Sequence, residues 1–73
     1  MTETLKHSVL LSGHRTSISL EKVFWEKLKE ICVQQGKSIN QQITEIDNER
    51  MKSSNKNLSS AVRVYILEQM NKN

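Results

Sequence analysis

The sequence predicts a mostly α-helical domain with one β-strand, in the order strand, helix, helix, helix, completed by a second copy of the same chain. Three observations carry this expectation. Residues 14–20, HRTSISL, alternate polar and apolar side chains, which is the period of a half-buried strand. From Glu21 onward the apolar residues recur every three to four positions, which is the period of a helix with one buried face. Finally, the chain has 73 residues and a single cysteine. A domain this small is marginal alone, it cannot close an internal disulfide, and oligomerisation is the staple that remains.

The elements follow in order. Residues 1–13 read as an N-terminal tail, within which 5–11 are a candidate extra strand; residues 14–71 read as one domain. In the strand, Thr16, Ile18 and Leu20 share one face, and Arg15, Ser17 and Ser19 share the other. The first helix, EKVFWEKLKEICVQQG, puts Phe24, Leu28 and Ile31 on one stripe, with Trp25 and Cys32 beside it, and ends at Gly36. Ser38 is placed to cap a second helix by accepting from the backbone N–H of Asn40 or Gln41, and Ile39, Ile43 and Ile46 then repeat at helical spacing. A polar break, KSSNKN at 52–57, precedes a third helix with Asn57 as its candidate cap. That helix carries Leu58, Ala61, Val62, Val64, Tyr65, Ile66, Leu67 and Met70. It is apolar over much more than one stripe, so it needs cover on more than one side.

A lone strand leaves its backbone donors and acceptors unpaired, and two arrangements satisfy them. In one, it pairs antiparallel with the same strand of a second chain across a two-fold axis. In the other, residues 5–11 fold back through a Ser12–Gly13 turn and set Leu5, His7, Val9 and Leu11 beside Leu20, Ile18, Thr16 and His14. The two can coexist as a four-stranded sheet. The breadth of the third helix favours the first, with a dimer core of Thr16, Ile18, Leu20, Trp25, Leu28, Ile39, Ile43, Ile46, Val62, Tyr65 and Ile66.

The alternating RTSISL, the helix closed by GKS and the SINQQI that opens the next resemble the ribbon–helix–helix (MetJ/Arc) superfamily. The fuller pattern GHRTSISLEKVFWEKLKEI, ITEID and NLSSAVRVYILE is similar to a short bacterial branch with an added third helix, over about residues 8–70. The resemblance implies an intertwined homodimer with an intermolecular antiparallel β-ribbon, acting as a transcriptional regulator on double-stranded DNA. A major groove about 12 Å wide admits such a ribbon. The implied base contacts are Arg15, able to donate twice to a guanine edge, and Ser17 and Ser19. The implied phosphate contacts are Lys37, Ser38, Ile39 and Asn40, at the helix N-terminus where free N–H groups and the dipole favour an anion. An outer strand from residues 7–11 would make the sheet too wide for the groove.

Other functions find little support in the residues. The formal charge is +3 and the pI about 9.3, a mild bias toward anionic partners. No Gly-rich phosphate loop, catalytic carboxylate pair or activated nucleophile is present, so no enzyme, cofactor or metal site is expected. His7, His14 and Cys32 do not form a zinc pattern. Cys32 reads as a small core residue and His14 as a strand-start residue. Phe24 and Trp25 read as core, and the single Trp, Tyr and Phe all fall on helices, against stacking on single strands. No apolar run reaches the ~20 residues of a membrane helix and no signal peptide is visible, so a cytoplasmic protein is expected. The competing reading is a dimeric interaction module that binds another protein. An antitoxin of this kind would wrap its toxin with a C-terminal extension, whereas three residues follow Met70.

Overall fold

The computed structural model describes residues 3–11, 13–53 and 57–72. Two strands, β1 (Thr4–Leu11) and β2 (His14–Glu21), are followed by three helices, α1 (Lys22–Gln35), α2 (Ile39–Ser53) and α3 (Leu58–Met70). The helical expectations hold, and of the two strand pairings weighed the one within the chain is formed. The region expected as a tail, with a candidate extra strand at 5–11, is a strand from Thr4 onward, and β2 pairs with it inside the chain.

The register is the cis alternative, with Leu5 opposite Leu20, His7 opposite Ile18, Val9 opposite Thr16 and Leu11 opposite His14. Gly13 supplies the positive φ of 81° that the reversal requires; its neighbour Ser12 lies outside the described residues, as do 54–56 of the expected polar break. At the open end the ladder runs on, with Lys22 N–H donating to Glu3 C=O at 2.7 Å. In an antiparallel ladder, bonded and non-bonded pairs alternate. That contact therefore makes the inward pairs 5/20, 7/18, 9/16 and 11/14 the bonded ones. The outward pairs 4/21, 6/19, 8/17 and 10/15 are non-bonded, and their N–H groups point away from the ladder.

Those outward-pointing donors tie the hairpin to the helices. Leu10 N–H donates to Asn40 Oδ1 of α2 at 3.4 Å, and Ser19 N–H donates to Ser59 Oγ of α3 at 3.3 Å. The two tethers lie on opposite edges of the hairpin. Arg63 of α3 adds a bidentate pair to Glu21 at the end of β2, at 2.9 and 3.3 Å.

Inside this frame one core forms from Val9, Leu11, Ile18, Leu20, Trp25, Leu28, Ile31, Cys32, Ile43, Ile46, Val62 and Ile66. Eight of the eleven residues expected in a dimer core are thus buried by their own chain. Ile39 and Tyr65 are half-buried, and Thr16 is exposed. His7 is exposed as well, with its ring 3.9 Å from that of Trp25. Two buried polar atoms, Trp25 Nε1 and Gln42 Oε1, have no hydrogen-bond partner among the described residues.

Local chemistry sets the helix ends. Gly36, with φ 68°, closes α1: its N–H donates to Val33 C=O at 3.2 Å and Lys37 N–H to Cys32 C=O at 3.0 Å, the paired bonds of a Schellman stop. Asn57 caps α3 by accepting from Ser60 N–H at 2.8 Å. The start of α1 has no such cap: Glu21 holds the position in extended conformation without a side-chain bond to the helix, because its carboxylate is turned to Arg63.

The register yields a paired test. Val9→Asp buries a charge with no partner and should cost about 3 kcal/mol or more, enough to abolish the thermal transition. Ser8→Asp, one residue away on the outward face, should stay within roughly 0.5 kcal/mol of wild type. Thermal melts of both variants decide the parity, since a one-residue slip exchanges their effects.

Candidate nucleic-acid interface

The alternation that buries Val9, Leu11, Ile18 and Leu20 leaves the other hairpin face in solvent. Arg15, Ser17 and Ser19, expected as base contacts, all lie on it and are exposed. The register adds β1 side chains that sequence reasoning passed over: Lys6 stands opposite Ser19, Ser8 opposite Ser17 and Leu10 opposite Arg15. The signal that could have found them is the same period of two continued backward, since Val9 and Leu11 alternate with Ser8 and Leu10. Of the acidic residues, the face carries Glu21 at its end, and Arg63 engages that carboxylate. The exposed remainder is two cations among Thr4 and three serines, with Leu10 as its large apolar side chain.

The expected phosphate site lies beside this face. Asn40, in the first turn of α2, accepts from Leu10 N–H, so the helix N-terminus is held against the β1 edge near the reversal. Ser38 Oγ accepts from Gln41 N–H at 3.0 Å and Ser38 C=O from Gln42 N–H at 3.0 Å. Ile39 and Asn40 therefore keep backbone N–H groups with no acceptor among the described residues, donors that an anion can use. Thr44 Oγ1 donates to Asn40 C=O at 2.8 Å, which secures that first turn.

Lys37, expected as a phosphate contact, makes an ion pair within the chain. Its Nζ sits 2.6 Å from Glu45 Oε1, so in the free protein its charge is turned along α2. The hydrogen bond to Glu45 raises the Lys37 pKa above the usual lysine value, against a smaller opposing effect of burial. The Arg63 hydrogen bond holds the Glu21 carboxyl below the ordinary carboxylate value. Cys32 is buried and its thiol is pushed up by desolvation, which keeps it protonated and suits a core side chain. Among the described residues, no group of three His, Cys, Asp or Glu side chains is placed to hold a metal ion, and no helix is long and apolar enough to cross a membrane.

A family model described as a ribbon-helix-helix domain matches residues 4–70. That span begins at the first residue of β1 and ends at the last residue of α3. Searches of curated proteins and of solved structures return no match to the chain.

Two measurements follow from these contacts. Ser38→Ala removes the α2 cap and should lower stability by roughly 1 kcal/mol, read from denaturant midpoints. Glu21 has a depressed folded-state pKa, so its contribution is complete above the ordinary glutamate pKa and fades as pH falls through the folded value. Wild type should therefore lose its stability margin over Glu21→Gln as pH is lowered from neutral into the acid range, as seen in melting temperatures of both across that range.

Proposed function

The chain belongs to the ribbon-helix-helix domain family over residues 4–70, and from that premise we propose that it is a homodimeric transcriptional regulator that binds specific double-stranded DNA sequences with the outward face of its β-ribbon in the major groove. Domains of this family commonly bind DNA as transcription regulators. The observation that carries the reading is one juxtaposition. A two-stranded ribbon with Lys6, Arg15 and serines on its open face has a helix N-terminus with free donors tethered to its flank by the Leu10–Asn40 bond. The first part can meet base edges, and the second can meet the phosphates beside the groove.

Width limits the reading element to two strands. Strands lie about 4.8 Å apart, so two strands and their side chains fit a groove about 12 Å wide. A four-stranded sheet would span roughly 14 Å between its outer backbones and would not enter. Family domains typically dimerise, and Val64, Leu67 and Met70, exposed on α3, offer an apolar surface for a second copy.

Arg15 is the residue on which the reading turns. An Arg–guanine pair discriminates by roughly 1–3 kcal/mol. Arg15→Ala lies on the solvated face and should leave the fold intact. It should erase preference for a duplex selected from a random pool while retaining weak, salt-sensitive binding to any duplex. Sedimentation should give about twice 8.5 kDa, and a two-fold dimer should select an inverted repeat. Absence of duplex binding by wild type at low salt would overturn the DNA role and leave the same fold as a protein-interaction module.

A further inference from the structure

We propose that β1 and the start of α3 are internal stand-ins for a second copy of the chain. They occupy the places that the partner's β2 and α2 take when two chains pair, so the ribbon between subunits forms by exchange. The inference rests on the homodimer reading above and deepens it by naming what the dimer must displace.

The first observation is a likeness between the strands. Nine positions apart, Lys6 matches Arg15, Ser8 matches Ser17, Val9 matches Ile18 and Leu11 matches Leu20. The register turns this likeness into symmetry. Ser8 lies opposite Ser17, and the pair Lys6–Ser19 on one side of them is repeated as Arg15–Leu10 on the other. Val9, Leu11, Ile18 and Leu20 are buried, while His7 and Thr16, also nine apart, are both exposed. An approximate two-fold axis through the Ser8–Ser17 pair thus relates the strands. A second β2 laid in the place of β1, with the partner's Ser17 opposite Ser17, makes that axis a true two-fold. Parity is kept, and the partner's Ile18 and Leu20 fall where Val9 and Leu11 sit.

The second observation is that α2 and α3 obey the same axis, at an offset of nineteen. Ser38 and Asn57 are the caps, accepting from Gln41 N–H and Ser60 N–H, and their carbonyls accept from Gln42 N–H and Ala61 N–H. Asn40 and Ser59, each the second residue of its helix, accept from Leu10 N–H and Ser19 N–H, donors that are themselves nine apart. Ile43 and Val62 are both fully buried. One edge of the hairpin is therefore held by α2 and the other by α3 in the same manner. In a true two-fold pair the α3 place belongs to the partner's α2. One shared ladder then replaces two, so the closed chain prevails when dilute and the dimer when concentrated.

The test is sedimentation of the full chain, with Lys6→Cys/Ser19→Cys as a lock. These positions form a non-bonded pair with Cα atoms about 4.5 Å apart, which a disulfide spans. Oxidised while dilute, the variant should stay at 8.5 kDa at concentrations where its reduced form is a dimer, and should bind the duplex selected by wild type more weakly than when reduced. Val9→Ala removes apolar contact made only in the closed chain and should tighten dimerisation, by about ten-fold for each chain released. Ser59→Ala should shift it the same way, by about five-fold or less. Melts that report the closed chain, those of Val9→Asp included, belong at concentrations below dimerisation. An oxidised lock that dimerises as its reduced form does keeps β1 in the dimer and overturns the exchange. Unchanged or weaker dimerisation of Val9→Ala overturns it as well, and weaker dimerisation of Ser59→Ala removes α3 from it. Each of these failures leaves Arg15-dependent DNA preference in place. A wild-type chain that stays monomeric and binds no duplex brings down the homodimer reading and this inference with it.

Discussion

The rest of the structure depends on the parity of one antiparallel ladder. Once Lys22 N–H meets Glu3 C=O, the alternation of bonded and non-bonded pairs is determined along the whole hairpin. Side chains of the bonded pairs face the helices, and side chains of the non-bonded pairs face solvent. A slip by one residue would send Lys6, Arg15 and the serines into the core and expose Val9, Leu11, Ile18 and Leu20. The cost of burying two charges without partners far exceeds the marginal stability of a domain this small. Register is therefore strongly specified by the inward face, and the outward face inherits its geometry from that choice.

The same parity explains how the helices attach. Non-bonded pairs direct their N–H groups away from the ladder, and two of these donors find side-chain oxygens, Asn40 in α2 and Ser59 in α3. A bare sheet edge is a template for pairing with another chain, so each tether does two things. It positions a helix, and it removes a free donor from an edge. Arg63 reinforces the α3 side by gripping Glu21, which also clears a carboxylate from the neighbourhood of Lys6. The β1 side stays simpler because the start of α2 is held by Asn40 and its own Ser38 cap.

Much of this was legible in the sequence, and the exceptions have physical reasons. Gly36, Ser38 and Asn57 announce helix ends through local backbone chemistry that needs no tertiary context, and all three act as expected. Apolar spacing located the core of each helix. The strand's faces were legible for the same reason, and so Arg15, Ser17 and Ser19 fall together. The strand's partner within the chain was legible only as one of two arrangements, because a period of two states which face is buried and is silent on which edge is paired. Thr16 shows the limit of the pattern: parity puts it inward, yet it pairs with Val9 near the reversal and stays exposed. The Lys37–Glu45 pair was invisible for a different reason, since its members are eight positions apart and meet only because Lys37 lies in the tight connection before α2.

That last pair bears on how a phosphate would be held. With Lys37 turned to Glu45, the positive character at the start of α2 comes chiefly from the backbone, through the free N–H groups of Ile39 and Asn40 and the helix dipole. Such donors are fixed by the helix and lose no side-chain freedom on contact, whereas a lysine must first leave its carboxylate. A half-exposed ion pair of this kind is worth little in water, so approach of a phosphate could redirect Lys37 at small cost, leaving Glu45 near an anion as the opposing term. The backbone donors carry no such conflict. The tether from Leu10 to Asn40 fixes those donors relative to Arg15. The hairpin and the helix start are therefore joined through Asn40, beside the lysine that pairs with Glu45.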